Sequence, residues 1–291
     1  MPRPQTLKLL LLDGTPTGTW IAELDNWDGK ALRIPEKRFA EASKARKELS
    51  HTGVYLLVGR AENASERSRV YVGEAEDLRT RLKQHADRRD DWTEALVFTR
   101  KSNELNKAHV KYLESILYEA LRNADRYDVT NGNTPTRSSL HETDRYAMED
   151  FAERVKLLTG VLGHPMFVDL APAFVQSAAP GETELIFELG VPKSDRLARM
   201  RRTDEGYVVL KGSHARAHLV ESMNATSRIA RQRLLDDGSL AEVDGQLVFQ
   251  RNTLFTSPSA AGIAVTGRST NGWTSWKSPQ ATLPEVHRAE E

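Results

Sequence analysis

The sequence predicts an α+β protein in two domains, and three observations carry that expectation. Short β-branched and aromatic runs bounded by glycine are interspersed with amphipathic runs of helical period. The segment 171–181 is uncharged and rich in alanine and proline, the composition of a linker. A length of 291 residues suits about two domains, each with its own core.

Composition narrows the class further. The 41 basic and 41 acidic side chains cancel, which argues against a wholly basic nucleic-acid binder but leaves room for a local basic patch. With no cysteine, disulfides and thiolate zinc sites are excluded. The apolar run Leu7–Leu12 stops at Asp13-Gly14, too short for a membrane span and without the pattern of a signal peptide. A cytoplasmic protein with no membrane association is expected.

Taken in order, 7–12 and 18–24 read as a hairpin across Asp13-Gly14, and Glu36–Leu49 reads as a mostly exposed helix with Phe39, Ala42, Ala45 and Leu49 on one side. Residues 1–50 are therefore expected as a strand and helix extension. Gly53–Gly59 and Arg69–Gly73 read as two strands of a hairpin around a polar loop at 60–68, and alternation lets Tyr55 and Tyr71 project from one face. From Glu76 the period becomes helical, with Leu78 and Leu82 four apart and Arg81 and His85 together at the edge of that stripe.

Glu94–Thr99 is a third strand. Leu105–Arg122 is a helix with Val110, Leu113, Leu117 and Leu121 as its apolar stripe, and Glu114 lies on the flank of that stripe. A carboxylate so close to a core is costly to bury unless a cation or donors compensate it. Residues 127–135 carry turn chemistry, and His141–Thr159 reads as a further helix. Beyond the linker, strands are expected at 183–189, 206–211, 240–243 and 246–250, the last two across Asp244-Gly245, with helices at 224–236 and 258–265. From Ser278 the tail reads as loosely ordered.

The company of these residues points to chemistry. Breaking a phosphodiester requires an activated water, a positive group for the charge that develops on the phosphoryl oxygens, and in most cases a carboxylate-held divalent metal. Tyr55, Tyr71 or His85 can orient the water, Arg81 can supply the charge and Glu114 can hold the metal. Singly, a strand tyrosine is more often a packing residue and an arginine beside a histidine an ordinary helix face.

The ordered combination resembles the GIY-YIG nuclease family: Gly53-Val54-Tyr55, then Tyr71-Val72-Gly73, an arginine ten positions on (81 − 71 = 10), a histidine fourteen on (85 − 71 = 14), and a helix with a central glutamate. Valine stands where the family name has isoleucine in both motifs. The resemblance covers roughly residues 51–135. It implies a small three-stranded antiparallel sheet flanked by helices that hydrolyses DNA with one divalent cation, Mg²⁺ or Mn²⁺. Carried over, Tyr55 and Tyr71 shape the site and assist the water, Arg81 and His85 stand on the first helix, and Glu114 is the metal ligand. Gly73 lets backbone approach the site, and the family's late asparagine falls at Asn131, with Asn133 as the other placement.

Residues 257–277, with Arg268, Trp273, Trp276 and Lys277, are similar to a C-terminal domain of unknown function that often accompanies bacterial GIY-YIG nucleases. Those four can grip a nucleic-acid strand by charge and stacking, or the tryptophans can plug a core. Lys193, Arg196, Arg199, Arg201 and Arg202 form a second basic run where phosphates can dock. The expected layout is a nuclease domain at 51–170, a linker at 171–181, a small α+β domain at 182–277 that selects substrate or a protein partner, and a tail at 278–291. A single site cuts one strand at a time, so cleavage of a duplex calls for a homodimer or two successive cuts. The rival expectation is a DNA-binding scaffold that keeps the fold without turnover.

Overall fold

The computed structural model describes residues 4–59, 67–88, 92–170, 185–279 and 282–288. The expected linker at 171–181 and most of the loop at 60–68 lie outside them. The chain divides into two compact units, one comprising Met1–Glu62 with Arg67–Val168 and the other containing Asp169–Glu291. Both are α+β, and no helix among the described residues is long and apolar enough to cross a membrane.

The first unit runs β1 (Leu7–Leu11), β2 (Trp20–Leu24), β3 (Gly29–Pro35), α1 (Phe39–Ala45), β4 (Gly53–Gly59), β5 (Arg69–Ala75), α2 (Leu78–Arg88), β6 (Glu94–Arg100), α3 (Lys107–Ala124), β7 (Asp128–Val129) and α4 (Glu142–Val161). The antiparallel trio β6-β4-β5 is present, but it is the middle of a seven-stranded sheet in the order β1-β2-β3-β6-β4-β5-β7. The addition that matters most is β3, which pairs with β6 along its whole length, from Gly29 opposite Arg100 to Pro35 opposite Glu94. Residues 1–50 thus build the sheet instead of hanging from it.

Sequence reading misses β3 because Lys30 and Arg33 interrupt its apolar pattern. In the fold both cations are paired: Lys30 lies 2.9 Å from Glu48 and 3.5 Å from Glu23, and Arg33 binds Glu94. Glu48 is almost fully buried, which alone would raise its pKa, yet Lys30 and Arg46 hold it down at about 2. The same anchoring accounts for the end of α1. The expected helix over 36–49 breaks at Arg46, where the backbone is extended (φ −105°, ψ 109°) and the guanidinium turns to Glu48 at 2.6 Å.

Every residue of β4 is buried, because both faces of the sheet are covered. Val54, Leu56 and Val58 pack with Val70 and Val72 against α3 and α4, through Val110, Leu113, Leu117, Phe151 and Val155. Tyr55 and Leu57 face the opposite core with Phe39 of α1 and Leu78 and Leu82 of α2. At the outer side of the sheet, β7 runs parallel to β5 but pairs only with Arg69 and Val70. No strand among the described residues covers the rest of the β5 edge.

The second unit runs β8 (Ile186–Gly190), β9 (Leu197–Thr203), β10 (Gly206–Val209), β11 (His214–Ala215), α5 (Ala225–Asp236), β12 (Leu240–Val243), β13 (Gln246–Phe249), β14 (Thr253–Phe255), α6 (Pro258–Thr266), α7 (Gly272–Ser275) and α8 (Leu283–Arg288). Its sheets are β14-β10-β9-β8 and β11-β13-β12. Asp244 and Gly245 join β12 to β13 with φ of 51° and 75°, the left-handed pair that a two-residue hairpin turn of type I′ requires.

Two expectations change here, and one open alternative is decided. The basic run is largely strand β9, in which Ala198 and Met200 are fully buried while the arginines at 199 and 201 fall on the alternate face. The tail is not loose throughout: Leu283 is fully buried in the core, and Thr282 and Glu285 cap the turn that carries it. Trp276 is 2 % exposed and its indole donates to the Pro258 carbonyl at 3.0 Å, so it fills the core and is not available for base stacking.

A chain beginning at residue 36 would lose three of the seven strands and expose the β6 edge. The expected outcome is loss of the first unit's cooperative melting transition with a rise in aggregates, read by circular dichroism and size-exclusion chromatography. A separable extension would leave that transition in place.

Candidate active site

The site is organised around the hydroxyl of Tyr55. Leu78 and Leu82, both fully buried, fix the rotation of α2, and the Asp77 carboxylate caps its first turn by accepting from the Thr80 amide at 2.6 Å. That rotation brings Arg81 and His85, one turn apart, to the same tyrosine. Arg81 Nε donates to the Tyr55 hydroxyl oxygen at 3.2 Å, and His85 Nε2 lies 2.7 Å from that oxygen. Burial pushes the Tyr55 pKa well above the usual tyrosine value, so the hydroxyl keeps its proton. An oxygen that accepts from arginine has that proton left to donate to the imidazole.

Tyr71 stacks on Tyr55 with ring centroids 6.2 Å apart and packs against His85 at 5.2 Å. Gly73 stands directly opposite Tyr55 in the β4–β5 register, and a Cβ built there would lie 2.3 Å from the tyrosine oxygen. The glycine is required because the phenol occupies the space that any side chain would take.

Tyr71, Glu74, Arg81, Lys107 and Glu114 line one open cleft of about 390 Å³, together with Thr80 and Gln84. Tyr55 and His85 are buried, and they meet the cleft through Tyr71 and Arg81. Glu114 belongs to α3, which packs on the sheet face opposite α2. Its carboxylate and the α2 groups share a cleft because they meet beside the uncovered length of β5. Burial and the nearby charge of Glu74 push the Glu114 pKa up to about 7, although Lys107, Arg81 and Lys111 pull it down. Arg81 is held above its usual value: burial opposes its charge, but its bonds to Tyr55 and Tyr71 outweigh that.

Lys107 and Glu74 are among the lining residues that escape sequence reading. Lys107 grips both oxygens of Glu74, at 2.7 and 2.9 Å, beside Glu114. The signal for Lys107 is its spacing: 107, 111 and 114 follow one face of α3. Nothing in the sequence pairs Glu74 with that helix. Asn131 does not line the cleft. Its amide accepts from the Val72 amide at 3.1 Å and donates to the Val72 carbonyl at 2.8 Å, standing in for the missing strand beside Tyr71 and Gly73. His109 caps α3 through Asn106 and faces Asp144 at 3.6 Å, whereas Lys111 acts on Glu114 by charge.

Among the described residues there is no group of three or more histidine, aspartate or glutamate side chains placed to hold a metal. A hard cation of the magnesium type keeps most of its water and takes one or two carboxylates with substrate phosphate, so Glu114 by itself meets that minimum. Burial and the Glu74 charge outweigh the pull of Lys107, Arg81 and Lys111 on this carboxylate, a balance that a bound cation would shift toward the ionised form.

The first unit is thus an α+β fold with an open cleft that combines a half-buried carboxylate, a guanidinium and one tyrosine, Tyr71, backed by the buried Tyr55. Among known families, the model of a domain of unknown function, DUF4357, matches residues 191–286, which lie in the second unit. No curated protein and no solved structure matches the chain.

Two outcomes follow from the geometry. Gly73→Ala is expected to destabilise the first unit by roughly 1–3 kcal/mol in urea unfolding, since the phenol it displaces is packed on all sides. Glu114 sets a pH dependence whose sign is fixed. Between the usual value of 4.5 and about 7 the unfolded chain has lost this proton while the fold retains it, so ionisation counts against folding as pH rises. Without divalent ions, Glu114→Gln should therefore melt close to the wild type at pH 4.5 and above it at pH 8. Equal melting temperatures at pH 8 would contradict the assignment.

Proposed function

We propose that the first unit is a metal-dependent endonuclease of the GIY-YIG type, hydrolysing DNA phosphodiester bonds through a single Mg²⁺ or Mn²⁺. The observation that carries this reading is the meeting of Tyr71 and Arg81 with Glu114 in one cleft, across the edge of β5. These residues come from three separate elements and opposite faces of the sheet, and a packing role for each does not require them to converge.

The roles follow from position. Glu114 would hold the cation, which when bound supplies Lewis-acid stabilisation and a more acidic water. Arg81 projects its permanent charge into the cleft, where the phosphoryl oxygens gain negative charge in the transition state. Tyr71 lines the same wall and orients the attacking water. Tyr55 keeps its proton and acts from behind, holding Arg81 and His85 in register. Asn131 contributes by fixing β5, not by touching substrate.

Cleavage of a panel of duplex, branched and single-stranded DNA with Mg²⁺ or Mn²⁺ tests the reading. Arg81→Ala and Glu114→Gln are each expected to lower kcat by about 10²–10³-fold, the loss typical of removing one group that stabilises developing charge. Calorimetry with Mn²⁺ separates the enzyme from a scaffold, because only the enzyme needs an ion at Glu114. No cut in any substrate, together with Mn²⁺ binding unchanged by Glu114→Gln, would sink the proposal.

A further inference from the structure

The second unit carries a cationic trough that no part of the proposed reaction uses. Two clefts, of about 390 and 210 Å³, share Arg196 and His214 in their walls. Arg199 and Lys211 line the first, and Lys193 and Arg216 line the second. From 191 to 216 the chain has seven lysines and arginines (193, 196, 199, 201, 202, 211, 216) against three acids (195, 204, 205), although the whole protein is neutral.

Lys193, Arg196, Arg199 and Lys211 come from three places, and the fold holds them together. Lys193 and Arg196 sit on the turn between β8 and β9, closed by the Val191 amide donating to the Arg196 carbonyl at 2.9 Å. Arg199 lies on β9, and Lys211 follows β10. Ser213, 4 % exposed, joins those two: its hydroxyl accepts from the Arg199 amide at 2.9 Å and donates to the Arg199 carbonyl at 3.2 Å. The backbone that carries Arg199 is thereby pinned beside the Lys211 turn. Two carboxylates border the trough, Asp195 at 3.9 Å from Arg196 and Glu188 at 3.4 Å from Arg199. Both ion pairs are well exposed, and such pairs are weak enough for a phosphate to replace them.

We propose that this trough seats the phosphate backbone of a nucleic-acid strand. The cations line two concave clefts that share Arg196 and His214, not a flat or convex surface, which suits a linear polyanion lying along them. Nucleic acid presents one charge per nucleotide, and its binding gains from counterion release at each contact. The proposal extends the DNA reading above to the second unit, but it is measured as binding and does not rest on cleavage.

The test uses the full chain in EDTA with a fluorescently labelled DNA duplex, followed by anisotropy across a salt series. Arg196→Gln, Arg199→Gln and Lys211→Gln combined are expected to weaken binding at least tenfold at low salt. The slope of log K against log salt should become shallower by about 0.9 for each phosphate contact removed. Arg196→Lys with Arg199→Lys, which keeps both charges, should retain most of the slope, and thermal melting of each variant checks the fold. Unchanged affinity and slope in the triple glutamine variant would overturn the proposal, as would capture of anionic phospholipid vesicles or polyglutamate in preference to DNA. Glu114→Gln separates the two readings: it should bind DNA like the wild type in EDTA but cut it about 10²–10³-fold more slowly once Mg²⁺ is added, whereas the triple variant should still cut at saturating DNA with Mg²⁺.

Discussion

A tyrosine hydroxyl buried in the middle of a sheet must find partners, and the way Tyr55 finds them sets the geometry of the first unit. With no exposure to water, its oxygen relies on Arg81 and His85, which only a helix lying on that face at one rotation can offer together. The leucines at 78 and 82 impose that rotation, and Gly73 leaves the room in which the phenol lies. Packing and hydrogen bonding therefore agree at one residue. The arginine that satisfies a core tyrosine also extends a charge into the adjoining cleft.

The second constraint is an incomplete sheet edge. β5 is paired along its inner side by β4, whereas β7 covers only two of its outer positions and Asn131 bonds the next with a side-chain amide. Where the edge is left open, α2 from one face and α3 from the other bring their side chains to common ground. The charge of Glu74 opposes ionisation of Glu114 there, and Lys107 compensates in part. An edge strand is ordinarily an aggregation hazard; here its exposed length is flanked by charged groups, which blunts that hazard and forms the cleft.

The two units use charge differently. In the first, cations within the fold answer specific acids, as Lys30 and Arg46 do for Glu48 and Arg33 for Glu94, and they stabilise a strand and a helix end. In the second, most of the basic side chains on and around β9 face outward, with a buried alternation of Ala198 and Met200 beneath. Arg231 is different: it is buried, and it donates to the Ala264 and Arg216 carbonyls. Burial and the nearby Arg216 charge lower its pKa to about 10.

The sequence alone determined the elements whose signals are local. Alternation in 53–59 and 69–73, the helical period from Leu78 to His85 and the leucine stripe around Glu114 depend on neighbours a few residues away, and so did the spacing of Tyr55, Tyr71, Arg81 and His85. The turn at Asp244-Gly245 is of the same kind. Tertiary structure decided whatever depended on a distant partner. β3 and β9 were masked by cations whose compensation or exposure only the sheet reveals, and Leu283 was read as tail until a core received it. The pairing of Glu74 with Lys107, the attachment of Asn131 to Val72 and the convergence of opposite sheet faces on one cleft span tens of residues. Such contacts form by closing long loops, and no local pattern records which loop will close.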